Sequence, residues 1–295
     1  MTQDTPQMKT SGPLEAAITA ALFAAAVSFA VWQFSPSAKF EDESIPTAVM
    51  DGSALVSDTS CRLQLQLIAP LHRREHFIER LSYVQEQFAH GGLSICATHF
   101  PADDIAQCNG SSRRVECDLD WSALPEPVEG MHTVTLVASG RGVANTRNGI
   151  VFVPEQASGL LLQHEIGHAL GLADEYPMRA RLAEAFCSGS FSFQPLNLVL
   201  TSSDVMTYEE KQMLRNRIPW IAHLEAPIAT ERDDGLWTLG TPEAYEEQIG
   251  LFPAATCDAT ATFAWKPLAE VTFMEHHELG SVPDLYLKLI DERLE

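Results

Sequence analysis

The stretch His164-Glu165-Ile166-Gly167-His168-Ala169-Leu170-Gly171-Leu172-Ala173-Asp174-Glu175 has the pattern HExxHxxGxxDE. Two histidines four apart lie on one face of a helix, one turn from each other, so both imidazoles can reach a single ion. Glu165, between them, stands beside that ion and can accept a proton from water. Gly171 can end the helix in a left-handed turn, a conformation costly for any residue with a Cβ. The chain then swings back, so that Asp174 can supply a third ligand. HExxH alone is a weak signal, because two helical histidines usually sit solvated on a surface. Here Leu160, Leu161, Leu162, Ile166, Ala169 and Leu170 surround the motif. A helix this apolar is buried, and a buried His-Glu-His trio needs a partner for its polar atoms. Zn2+ is the first choice for a His/His/carboxylate set, with iron, cobalt or manganese as other occupants.

Further along comes Ser203-Asp204-Val205-Met206-Thr207-Tyr208. HExxHxxGxx(H/D), followed by a turn bearing Met and then by Tyr two residues on, resembles the metzincin metallopeptidases. The resemblance implies an α+β fold: a twisted mixed sheet with an active-site helix, hydrolysing peptide bonds with one catalytic zinc. It implies His164, His168 and Asp174 as metal ligands and Glu165 as general base. Met206 becomes the apolar floor beneath the histidines, and Tyr208 the group that leans toward the metal in the transition state. A few metzincin-like secreted bacterial proteases share Asp in place of the third His. The Leu172–Tyr176 ending LADEY, the later Arg217–Trp220 piece RIPW and the Ile249–Ala255 piece IGLFPAA are most similar to the IgA-peptidase-like metallopeptidases. In that family the interval to the Asp-Glu pair is one residue longer. Asp174 and Glu175 therefore both stand open as the third ligand, with the metzincin spacing favouring Asp174. A gluzincin-like site would instead take a later Glu, such as Glu184. An exported, zinc-stabilised binding protein is the non-catalytic alternative, and it has no need of Glu165.

The formal net charge is −21 over 295 residues. Nucleic acid is excluded as a partner, because phosphate binding needs clustered Lys and Arg. The surplus of acid is read mainly as solubility. Ala16–Trp32 carries no charge and is the only membrane-scale apolar run. Residues 16–34 are expected to form a transmembrane anchor or a signal segment, after a tail of residues 1–15. The run is long for a signal core, and Pro36 spoils the cleavage site behind it, so retention in the membrane is favoured. The body then lies outside the cytoplasm, periplasmic or extracellular. Cys61, Cys96, Cys108, Cys117, Cys187 and Cys257 all follow the apolar run, and an even count in an exported domain suggests disulfides. Cys108 and Cys117 flank a turn-rich piece and are the first expected pair. The other pairings stay open.

Residues 35–60, rich in Ser, Pro, Asp and Glu, read as a flexible linker. A catalytic domain is expected over 61–224, with a C-terminal subdomain over 225–295 packed on it. Leu63, Leu65 and Leu67 alternate with Gln64 and Gln66, which predicts a strand with one buried face. Arg73–Ala89 has helical spacing and Gly91-Gly92 ends it. Leu93–His99 and His132–Ala138 read as strands, and 101–131 as loop. Ile150, Val151 and Phe152, just ahead of the metal helix, are expected on an edge strand that pairs with an extended peptide substrate, as in metzincins. Glu209–Leu224 reads as a long helix disturbed by Pro219. Glu275-His276-His277-Glu278 reads as a solvated polar cluster, and His72, His76, His90, His99, His132 and His223 as isolated. Substrate selection is expected in loops 140–148 and 176–205. No GxSxG elbow, P-loop or dinucleotide fingerprint occurs.

Overall fold

A computed structural model describes residues 49–51, 61–109, 113–126, 130–191 and 193–295. The expected anchor at 16–34, the tail before it and most of the 35–60 linker lie outside the described residues. Among the described residues no helix is long and apolar enough to cross a membrane. The first half of the chain forms β1 (Val49–Asp51), β2 (Leu63–Ala69), α1 (Arg74–His90), β3 (Ile95–Pro101), β4 (Ala106–Cys108), β5 (Cys117–Leu119), β6 (His132–Ala138), β7 (Asn145–Arg147), β8 (Ile150–Val153) and α2 (Gly159–Ala169). The second half forms α3 (Ala180–Cys187), β9 (Val199–Thr201), β10 (Val205–Met206), α4 (Tyr208–Arg215), β11 (Ala229–Glu231), β12 (Trp237–Leu239), β13 (Phe252–Ala254), β14 (Phe263–Lys266) and α5 (Asp284–Leu294). This is a mixed α+β architecture.

Its centre is a six-stranded sheet in the order β1-β3-β2-β6-β8-β7. Every pairing is parallel except β7 with β8. Leu63, Leu65 and Leu67 pack under Phe77, Leu81, Val84 and Phe88 of α1 and under Leu162 and Ile166 of α2. The opposite face is also covered: Ile68, Val137 and Phe152 pack with Phe100, Ile105 and Val115. The expectation of one buried face on β2 is thus corrected. Crossovers between parallel strands place layers on both sides of a sheet, and Gln64 is accommodated by donating to Thr98 Oγ1 at 2.7 Å. The main core continues through Leu251, Phe273, Met274, Tyr286 and Ile290, so residues 225–295 share it with β2 and α2.

Three further expectations change. Residues 101–131 are not all loop, since β4 and β5 form an antiparallel pair with Cys108 opposite Cys117. The helix expected over 209–224 ends at Arg215. Ile218 precedes Pro219, whose ring disfavours helical backbone at the residue before it, and a short 3-10 turn at Ile221–His223 follows. Ile150, Val151 and Phe152 do not lie on an edge. β8 is paired on both sides, to β6 and to β7, and the sheet ends at β7. All six cysteines are paired, as Cys61–Cys96, Cys108–Cys117 and Cys187–Cys257. Three disulfides are compatible with an extracytoplasmic location.

Candidate metal centre

The site begins with α2. Ser158 caps it by accepting from the Leu161 amide at 3.2 Å. Leu162, Ile166 and Leu170 hold one face in the core. At its end Gly171 adopts φ +105°, and the amides of Gly171 and Leu172 bond back to the carbonyls of His168 and Gly167. A side chain at Gly171 would also collide with the Arg293 guanidinium. Gly167 is required for a different reason. A Cβ there would stand 2.9 Å from Met274 Sδ and 3.0 Å from the Phe273 ring. The helix is therefore pressed against Phe273 and Met274 on the turn between its two histidines.

His164, His168 and Asp174 bring one ligand atom each into a single group, and could hold a metal ion. The two Nε2 atoms are 3.2 Å apart. Asp174 Oδ1 lies 3.2 Å from His164 Nε2 and 3.0 Å from His168 Nε2. On their other sides, His164 Nδ1 meets the Phe273 carbonyl at 2.9 Å and His168 Nδ1 the Leu172 carbonyl at 3.0 Å. A carbonyl can only accept, so each neutral ring carries its proton on Nδ1 and turns an Nε2 lone pair toward its partners. With both rings in that form, Asp174 Oδ1 is buried without a donor. Three convergent lone pairs without a donor accommodate a cation, a metal ion or, without one, a proton on His168. Their spacing fits a metal ion, because tetrahedral bonds of zinc length place neighbouring ligand atoms about 3.3 Å apart.

Glu175 points elsewhere, and Asp174 is the carboxylate that joins the group. Its side chain is fully buried and accepts from Asn197 Nδ2 at 2.7 Å, Thr272 Oγ1 at 2.7 Å and the Tyr286 hydroxyl, with Lys266 Nζ at 3.5 Å. Burial pushes its carboxyl up against the downward pull of Lys266 and these donors. The surrounding main chain is pinned as well. Asn197 spans the Ala173 amide and carbonyl at 2.8 and 2.9 Å, Thr256 donates to the Asp174 carbonyl at 2.7 Å, and the Glu175 amide donates to Met274 at 3.0 Å. Glu184 is exposed on α3 and is not part of the group.

Glu165 is buried beside the group, and the Thr146 hydroxyl lies 2.9 Å from its Oε2. Burial raises its carboxyl, opposed by the two imidazoles and by Thr146. Thr146 belongs to β7, the edge strand, so the sheet edge and the carboxylate meet at one hydroxyl. For His168, burial is the largest influence and lowers its pKa. The Asp174 carboxylate and Glu165 outweigh it and carry the metal-free imidazole up to about 9. Asp174 is raised by burial but held well below the usual carboxylate range by the two histidines.

The resemblance-derived roles at the later turn fare differently. Met206 lies on β10 opposite Trp237 of β12 and packs, partly buried, against the main core. The methionine pressed on α2 between the histidines is Met274. Tyr208 is 53% exposed, beside Trp237 and under Lys211. None of the hydrogen bonds or ring contacts of the metal group involves it. The tyrosine that does reach the group is Tyr176. Its ring stacks on His164 at 6.3 Å with a 24° tilt, and its phenol lies in the field of the Asp174 carboxylate. Burial, then Asp174 and Glu165, push that phenol far above its ordinary value. His277, from the segment read as a solvated cluster, places its ring 5.8 Å from that of His164. Burial, and next the neighbouring His164, lower its pKa. Tyr176 was within sight in the LADEY ending, whereas His277 carries no local signal of its role. Compared with family models, with curated proteins and with solved structures, the chain matches none.

Proposed function

We propose that this chain is a zinc-dependent endopeptidase that acts on protein or peptide substrates outside the cytoplasm, attached to the membrane by residues 16–34. One observation carries the reading. His164, His168 and Asp174 present three ligand atoms at 3.0–3.2 Å from one another, and the buried carboxylate of Glu165 stands next to them. A binding module needs the first three and has no use for the fourth. Zinc, when bound, supplies Lewis acidity and brings the pKa of water down to about 7. Glu165 takes the proton of the attacking water and hands it to the leaving amine. The Thr146 hydroxyl lies between that carboxylate and the Glu165 main-chain carbonyl, at 2.9 and 3.0 Å. β7 offers an outer row of main-chain groups to an extended peptide. The substrate carbonyl would then be presented on the side of α2 where Glu165 sits. The disulfides and the apolar run at 16–34 support the location.

The test is metal analysis of the full chain, followed by digestion of a peptide library with the zinc-loaded protein. Equimolar zinc and cleavage at internal peptide bonds are expected. Glu165→Ala should keep its metal and lose hydrolysis. Retained turnover in that variant removes the proposed base. Metal without hydrolysis of any peptide leaves only a zinc-stabilised binding protein.

A further inference from the structure

Resting on the peptidase reading, we infer that Tyr176 is a catalytic residue of this site: its phenol is the hydrogen-bond donor to the oxyanion that forms when water adds to the scissile carbonyl. Four observations place it there. Its ring lies nearly parallel to that of His164 at 6.3 Å, and it follows by two residues Asp174, whose Oδ1 faces both Nε2 atoms. The phenol ring therefore borders the metal group. Tyr176 is 39% exposed while His164 and Glu165 are 5% and 6% exposed, so it is the most open to an arriving substrate of the three. Its main chain is fixed from both sides: the Glu175 amide donates to Met274, the Glu175 carbonyl accepts from Ala255, and the Met178 amide donates to Thr256. A donor held in place before the reaction costs no reorganisation when charge develops. Finally, Tyr208 spends its ring on Trp237 and Lys211, which leaves Tyr176 as the tyrosine in contact with the metal group.

In the step considered, the water oxygen bonds to the carbonyl carbon and the π pair moves onto the carbonyl oxygen. Glu165 holds the water's proton until the C–N bond breaks and the amine takes it. Tyr176 keeps its own proton throughout and turns its hydroxyl to the oxyanion as a hydrogen-bond donor. The shared proximity to Asp174 suggests a rival role, in which Tyr176 merely orients a metal ligand.

Tyr176→Phe in the full chain separates the two, because the ring and its stacking are kept. Three quantities are measured on zinc-loaded protein: zinc affinity by chelator competition, kcat and KM on a peptide, and the Kd of a phosphinic peptide that mimics the tetrahedral state. Catalytic donation predicts a fall in kcat of about 10²–10³-fold, with KM nearly constant and zinc affinity unchanged. It also predicts weaker phosphinate binding by at least about tenfold. An orienting role predicts zinc affinity lower by about 10- to 100-fold with unchanged kcat per bound zinc, and that result overturns the inference. So does full activity in Tyr176→Phe alongside a large kcat loss in Tyr208→Phe. Wild-type protein that holds zinc but cleaves nothing overturns the peptidase reading itself, which the other outcomes leave standing.

Discussion

The adjacent carboxylates Asp174 and Glu175 should respond in opposite ways to amide replacement. Glu175 Oε1 accepts from Asn197 and Tyr286, and Oε2 accepts from Thr272 and lies near Lys266. In Glu175→Gln the new NH2 must replace one of these oxygens, so it faces two donors whichever way the amide is turned. Each buried donor left without an acceptor costs about 1–3 kcal/mol. Lys266 is partly spared, because it also donates to the Glu270 carbonyl at 2.9 Å and contacts Glu275. The net loss should then be about 3 kcal/mol, at the low end for breaking a buried ion pair. For a domain of this size that corresponds to a fall in Tm of about 6–12 °C. The main-chain clamps on Met274 and Ala255 do not use the side chain, so zinc stoichiometry at saturation should stay at the wild-type value. Asp174→Asn should act first on the metal. It removes a charged ligand, so zinc affinity should drop by more than the about 10- to 100-fold typical of losing an outer partner, and the Tm of the metal-free protein should fall only where His168 is charged, because the carboxylate that holds its proton is gone. The assays are thermal melts with and without chelator, and zinc titration against a competing dye. A Glu175→Gln protein that melts normally but fails to retain zinc would refute the assignment of Glu175 to the buried network.

Three other outcomes follow from the same geometry. Gly167→Ala adds helix propensity of about 1 kcal/mol, but its Cβ meets Met274 and Phe273 at 2.9 and 3.0 Å. Overpacking of about 1–3 kcal/mol should win, and displacement of the Phe273 carbonyl from His164 should weaken zinc binding. A more stable variant with normal zinc affinity would contradict that contact. The Cys187–Cys257 disulfide closes a separation of 70 residues and adjoins Thr256, which holds the Asp174 carbonyl. Replacing both cysteines by Ser should cost about 4 kcal/mol and lower zinc affinity, and an unchanged zinc titration would break the proposed link. For pH, His168 in the metal-free protein has a folded pKa of about 9, above its unfolded value of about 6.5. Its stabilisation is fully present below about 6.5 and is lost as pH rises through about 9. Tm of the chelated protein should therefore decline across that window, and zinc uptake there should release a proton. A flat apo Tm between these limits counts against it. His132 and His277, lowered by burial, act below 6.5.

How far the site could be read in advance depends on how local each determinant is. The His164/His168 pairing needs only helical periodicity, and the turn at Gly171 only a missing Cβ, so both are legible within a dozen residues. The third ligand is not. Asp174 and Glu175 are equally acidic neighbours on an irregular segment, and what distinguishes them is remote. Thr272 and Tyr286, 97 and 111 positions away, provide the buried donors that claim Glu175. Met274 and His277 lie in a stretch without periodicity, and it is the Phe273 carbonyl, 109 positions from His164, that draws the segment onto α2.

The sheet edge is the opposite case, because a local signal was present and outranked by chain order. Asn148-Gly149 stands between Arg147 and Ile150, and both residues adopt positive φ, 52° and 75°. That is the dipeptide suited to a two-residue hairpin whose twist matches its strands. Given the hairpin, Ile150–Val153 acquires an antiparallel neighbour and cannot be the edge. Asn145–Arg147 becomes the edge, with Thr146 opposite Val151. The correction matters chemically, since β7 sets the Thr146 hydroxyl 2.9 Å from the Glu165 carboxylate. A peptide that added to β7 would thus be in register with the base through a single strand. Thr146→Val tests that coupling directly: it keeps the strand's shape and main-chain hydrogen bonds but withdraws the hydroxyl. Turnover should fall about tenfold, the scale of one weakened hydrogen bond, at unchanged zinc content, and normal turnover would separate the edge strand from the chemistry.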